Sequence, residues 1–232
     1  KWTYQRLYMS IAYCNEIIRE CTEARIKEHG VWEVMKDDYQ FYAAEARFIR
    51  AYCYAQLCDL YGGVPYVDEF TGTKDLPKQM TRKETFELAE GELLAIENLL
   101  KAPGENEYGR IDRVACWFLL SRMYLNAQTW IGEDRYQDCL KYARLVIGDS
   151  HYQLAKDYRH IFLADNNTCP EIIWPLVQDG LRAQSSAGTN FYVKAFVNGP
   201  MNELYQTGVG SKGWGNVRSK TTLVDAFDAS DV

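Results

Sequence analysis

The segment best suited to ligand chemistry in this 232-residue chain is SKGWGNVRS, residues 211–219, where a tryptophan stands between two glycines. Gly213 and Gly215 leave the Trp214 ring approachable, and little apolar sequence lies nearby to bury it. A sugar ring carries one apolar C–H face that packs on an aromatic plane, while its hydroxyls seek side-chain amides and charges. Trp214 offers the plane, Asn216 the amide and Arg218 the charge. Tyr192 is a second aromatic in the same stretch, which is rich in Gly, Ser and Asn. These four residues form the candidate ligand-binding set. Trp214 also reads as a loop anchor packed on its own domain, and the sequence leaves both readings open.

Elsewhere the residue types do not fall into catalytic spacings. His29, His151 and His160 are isolated, and there is no H-E-x-x-H helix, G-x-S-x-G elbow or Walker loop. No catalytic, metal or cofactor set is therefore assigned. GVGSKG, residues 208–213, has the spacing of a dinucleotide fingerprint but lacks the strand before it and the helix directly after it, so it reads as a turn. Seven cysteines include no C-x-x-C pair, and six sit at apolar positions of helical patterns, which suits buried thiols rather than zinc or disulfides. Among many acidic residues no glycosidase-like pair stands out. Glu45, the best-buried carboxylate candidate, reads as an ion pair with a neighbouring helix. Asn166-Asn167-Thr168 matches a glycosylation sequon, meaningful only in a eukaryotic secretory context.

Bulk properties narrow the classes further. A net charge of −6 argues against a broad nucleic-acid surface. No run of 18 apolar residues could span a membrane as a helix, and the opening KWTYQRLYMS lacks the zones of a signal peptide.

The elements that must position any site are helical, and the expected fold class is all-α. Residues 4–25 read as one amphipathic helix closed by Gly30. The helix from Phe41 to Tyr61 is apolar nearly all round, which places it inside a bundle. Gly62-Gly63 and Pro65 end it and launch a long loop. Thr81-Arg82-Lys83-Glu84 matches a capping box ahead of the next helix, and Pro103-Gly104 ends that one. Asp112 and Asp134 are expected N-caps for two further helices, the first again apolar nearly all round. The two inner helices match at an offset of 63, with Arg50, Cys53, Leu57 and Tyr61 on Arg113, Cys116, Leu120 and Tyr124. The outer helices match at an offset of 50. Two degenerate hairpins, about 41–100 and 112–148, therefore stack as in tetratricopeptide-type arrays. EIIWPLV, residues 171–177, reads as a short strand, and TTLVDAF starts a short capped helix. Residues 1–180 form the helical region, and 181–232 a loop-rich, ligand-facing part.

AEARFIRAYCYAQLCDLYGGVPYVDE, residues 44–69, closely resembles the signature of the SusD/RagB family. LYMSIAYCNEII, GRIDRVACWFLLSRMYLNAQTW, the segment 142–176 and GWGNVRSKTTLVDAFDASD resemble successive parts of the same family in the same order. Family members are much longer, so the resemblance implies the helical N-terminal portion, without the lipidated N-terminus and the C-terminal part. It further implies a surface-exposed outer-membrane lipoprotein of Bacteroidetes. Such a protein would bind a glycan or other nutrient as a lid over a SusC-type TonB-dependent transporter and would not be an enzyme. Two other readings stay open on the residues alone: a tetratricopeptide scaffold that binds only protein, and a helical glycoside hydrolase.

Overall fold

The computed structural model describes residues 1–72, 74–178, 195, 197, 199–205, 213–215, 217–228 and 230. The chain divides into two compact units, Lys1–Pro175 and Leu176–Val232. The first holds α1 (Trp2–Glu20), α2 (Glu23–Glu28), α3 (Trp32–Met35), α4 (Tyr39–Tyr61), α5 (Arg82–Ile96), α6 (Arg113–Ile131) and α7 (Tyr136–Gly148). Among the described residues there is no β-strand, only an isolated bridge between Pro65 and Gln79, so the fold is all-α.

The all-round apolar character of α4 follows from its neighbours. It packs against α1 on one side and α5 on another, and it also touches α6. Phe48, Ala51, Tyr54, Leu57 and Cys58 are buried among them. Alanines along α4 let neighbouring helices approach closely. The second inner helix, α6, pairs with α7 and is less enclosed. Leu120 and Met123 are buried, but Phe118 and Leu125 face solvent although the pattern marked them as apolar core. On α4 the same holds for Leu60, at the last turn.

Caps set the helix ends. Thr81 accepts from the Glu84 amide while the Glu84 carboxylate accepts from the Thr81 amide, the expected capping box. Asp112 accepts from the amides of Val114 and Ala115; Asp134 accepts from that of Tyr136 but stands one residue before the N-cap, which is Arg135 and has no side-chain cap bond. The single helix expected over 4–25 is instead two. The chain breaks at Cys21, and Thr22 caps α2 by accepting from the Arg25 amide. A threonine hydroxyl offers the backbone an alternative to the helical ladder, which the apolar spacing alone does not register.

Gly62 and Gly63 serve two different ends. Gly62 lies at φ 80° and ψ −117°, a positive-φ conformation that favours glycine and ends the helix. Gly63 has ordinary φ, but a Cβ there would sit 2.3 Å from the Met80 carbonyl. The loop 62–80 is thus pinched shut at its base, with the Met80 amide donating to Val64 and the Tyr66 amide to Lys78. Tyr54 pins its interior, donating to the Val67 carbonyl and accepting from the Val67 amide, both at 2.9 Å.

Residues 171–177 do not form the expected strand. Trp174 instead packs edge-on against Phe48 (5.2 Å) and Tyr52 (5.4 Å) of α4. All seven cysteines are free thiols. Burial raises Cys14 and Cys58 to about 11 and Cys53 to about 12, as inert core thiols require.

In the second unit the described residues include short helices at Gly199–Tyr205 and Thr221–Val224. Lys220 precedes the latter without a side-chain cap, unlike the capped start expected there. The amides of Gly215 and Val217 donate to the carbonyls of Val197 and Ala195, both at 3.1 Å, and Ala195 and Val197 are buried.

Candidate functional site

Of the four candidate ligand residues, Tyr192 and Asn216 lie outside the described residues. Trp214 is 50% exposed on a backbone held beside Val197 through the Gly215 amide. Arg218 is exposed. Of the set, the described residues thus include only Trp214 and Arg218.

The first unit carries a cleft of about 390 Å³ that no sequence motif signalled. Three segments build it: the α5–α6 connection from Gly104 to Asp112, the turn at His151 and Tyr152, and the stretch Asn167–Pro175. Asp112 joins them. Almost wholly buried at 2% exposure, it caps α6 with one oxygen. Its other oxygen accepts from the Tyr152 hydroxyl at 2.6 Å and from the Gly104 amide at 3.4 Å. Burial and this bond to Asp112 push the Tyr152 phenol well above its ordinary pKa, so it stays a neutral donor.

The connection is fixed from the other side by Glu45 of α4. Its carboxylate accepts from the Ile111 amide at 3.2 Å and forms a forked ion pair with Arg110. Asn106 donates to the Ile111 carbonyl at 2.8 Å and more weakly to Glu45. The partner of Glu45 is thus a loop arginine 65 residues away and not a neighbouring helix, a contact that helical spacing does not encode. The stretch 167–175 is tied back by the Gln153 amide to Pro170 and by the Ala155 amide to the Glu171 carboxylate.

This arrangement bears on catalysis. Hydrolysis of a glycoside by the usual route needs two carboxylates flanking the bond, one of them able to carry a proton. Glu45 is held by Arg110, and Asp112 is held by two amides and a phenol. Both carboxylates are therefore engaged in holding the fold. Among the described residues no group of three or more His, Cys, Asp or Glu side chains is placed to hold a metal.

Comparison with known proteins assigns the fold. A family described as "Starch-binding associating with outer membrane" (SusD-like) matches residues 1–125. The chain is 34% identical over 188 residues to the starch-binding protein SusD of Bacteroides thetaiotaomicron, covering 79% of this chain and 33% of SusD. A SusD-like protein of Formosa agariphila is 24% identical over 151 residues, covering 63% of this chain and 27% of that protein. The chain thus spans at most about a third of the length of these curated relatives. A SusD-like protein of Bacteroides fragilis superposes with a TM-score of 0.69 at 24% identity, over 91% of this chain and 40% of that one. Surface glycan-binding protein A of Bacteroides fluxus gives 0.70 at 22%, over 96% and 46%. With more than half its length matched by the family and its helices in the same arrangement, this chain belongs to the SusD-like family.

Proposed function

We propose that this chain is part of a cell-surface glycan-binding protein of the outer membrane, anchored by a lipid outside the sequence described here. The observation that carries the reading is the 34% identity to a starch-binding protein across most of the chain. The likeness to a surface glycan-binding protein supports it. Native electrophoresis of the whole protein through gels containing starch, xylan, mannan or pectin tests it. Retardation by at least one glycan, with no reducing ends released, is the expected result. Hydrolysis would contradict the binding-only reading, and free migration in every gel would contradict glycan binding.

Trp214 is our leading contact in the second unit, with Arg218, Asn216 and Tyr192 as its companions. A half-exposed indole on a fixed backbone suits stacking on a sugar face. Trp214→Ala should weaken glycan binding by about 2 kcal/mol, roughly thirtyfold, as the loss of a key aromatic contact does. The unfolding midpoint should move little. A marked fall in the midpoint with affinity unchanged would make Trp214 a loop anchor.

Delivery of the ligand to a SusC-type TonB-dependent transporter completes the reading, with the hairpins 41–148 supporting that contact. Helical arrays present broad surfaces suited to protein partners. Tagged protein drawn from outer membranes should bring down a large barrel transporter, and charge reversal at exposed Arg122 and Lys141 should weaken this while sparing glycan retention. Recovery of the protein without any barrel partner would argue against the delivery role.

A further inference from the structure

We propose that the cleft in the first unit is a sugar-binding subsite for neutral saccharides, separate in sequence from the Trp214 segment. The proposal rests on the glycan-binding reading and adds to it a place and a chemical class.

The groups lining the cleft divide into two sets. Asp112, Tyr152, Arg110 and Asn106 are bonded to one another or to the backbone and form rigid walls. Such a site loses little freedom when a ligand enters, which favours binding. A second set lines the same space without such engagement. The Tyr108 ring is 53% exposed. The side chains of Glu107, Asn167 and His151 make no hydrogen bond to another described residue. His151 is placed by its neighbours. Its ring meets Tyr152 edge-on at 4.8 Å and lies over Gly104, where a Cβ would come within 2.3 Å of it. Gly104 also sits at φ 73°, a conformation that other residues adopt at a cost. A glycine is thus needed there for both the turn and the aromatic ring against it.

What remains available is an aromatic plane, an amide, a carboxylate and an imidazole around one small space. That is the set that meets a sugar ring, with its apolar face on an aromatic and its vicinal hydroxyls on groups that donate and accept in pairs. At about 390 Å³ the cleft is at the small end of ligand pockets, which suits a short saccharide or one end of a chain. Its charge selects further. Arg110 is already paired with Glu45, and the remaining charged side chains of the lining are Glu107 and Asp112. A uronate or sulfated sugar, or a phosphate, would enter against like charge. Neutral saccharides would not.

Calorimetric titration of the whole protein with maltotriose, with cellotriose and mannotriose as alternative neutral probes and trigalacturonate as the acidic one, tests this. Wild type should bind at least one neutral trisaccharide and ignore trigalacturonate. Tyr108→Ala and Asn167→Ala, both at exposed positions, should each weaken that binding at least tenfold with the unfolding midpoint unchanged. If the whole protein is retained by a glycan gel but neither Tyr108→Ala nor Asn167→Ala alters trisaccharide binding, the cleft is not the site and the glycan-binding reading stands. Trigalacturonate binding as tight as the neutral probes would overturn the charge selection. If the protein binds no trisaccharide and no gel retards it, the functional reading falls and the cleft proposal with it.

Discussion

Arg50→Ala should destabilise the first unit by about 3–5 kcal/mol, the usual result of removing one partner from a buried ion pair. Arg50 is 7% exposed in the middle of α4. One guanidinium nitrogen donates to Asn15 of α1 at 2.8 Å and to Glu69 of the 62–80 loop at 2.6 Å, and the other donates to Glu92 of α5 at 2.9 Å. A single side chain therefore ties together three elements that meet on α4. Burial works against its charge, but Glu92 and Glu69 outweigh that and hold its pKa above the ordinary arginine value. The alanine variant leaves Glu69 and the buried Asn15 without this donor. Glu92 keeps a forked pair with Arg47, at 3.1 and 3.2 Å, so the damage should concentrate at α1 and the loop. Arg50→Lys should recover only part of the loss, because one ammonium cannot span two carboxylates and an amide with the geometry of a planar fork. Chemical denaturation gives the measurement. A midpoint within error of wild type in Arg50→Ala would show that the network contributes nothing net.

How much of this could be read from the chain depends on the range of the interaction. The capping box at Thr81 and Glu84 and the cap at Asp112 are local, and their residues announce them. The apolar circumference of α4 announced a helix with neighbours on several sides, and it has α1, α5 and α6 around it. Arg50, an arginine within that circumference, calls for acidic partners, and it has them in Glu69 and Glu92. The same pattern on α6 was less informative, because it says a face can be buried without saying that anything covers it. Phe118 and Leu125 are exposed for that reason. The partner of Glu45 was misplaced because Arg110 approaches from a loop, and no periodicity relates the two. The cleft was invisible to motif reading for the same reason. Its walls come from three segments spread over residues 104–175, held together by Asp112, whose sequence signal as a helix cap gave no hint of the bond it also accepts from Tyr152. The family resemblance carried fold and class, which depend on the whole pattern, but it did not carry binding residues.

Trp174→Ala is expected to be the other costly change, by about 3 kcal/mol, the lower end for an aromatic truncated in a core because the ring is only partly buried. A short apolar run such as EIIWPLV is ambiguous between strand and other buried structure, and here tertiary packing decides it. The Trp174 indole meets Phe48 and Tyr52 edge-on, an arrangement that adds to the area it buries. Phe48 is 1% exposed, so the ring presses directly on the core of α4. Trp174 thereby clamps the segment that follows α7 back onto the first hairpin. The same segment supplies Ile172, Ile173 and Pro175 to the cleft, and its hydrogen bonds to Gln153 and Ala155 hold the preceding turn. Without the indole, the helices keep their own interfaces while this clamp loses its main apolar contact. The expected signature is therefore local opening before global unfolding. The amides of Gln153 and Ala155 should exchange much faster in Trp174→Ala, whereas those within α4 and α6 should slow or speed only with global stability. Trp174→Phe should retain most of the protection, since a smaller ring can still meet Phe48. If Gln153 and Ala155 keep wild-type protection in Trp174→Ala, the segment is held by its polar bonds alone, and the cleft wall does not depend on the tryptophan.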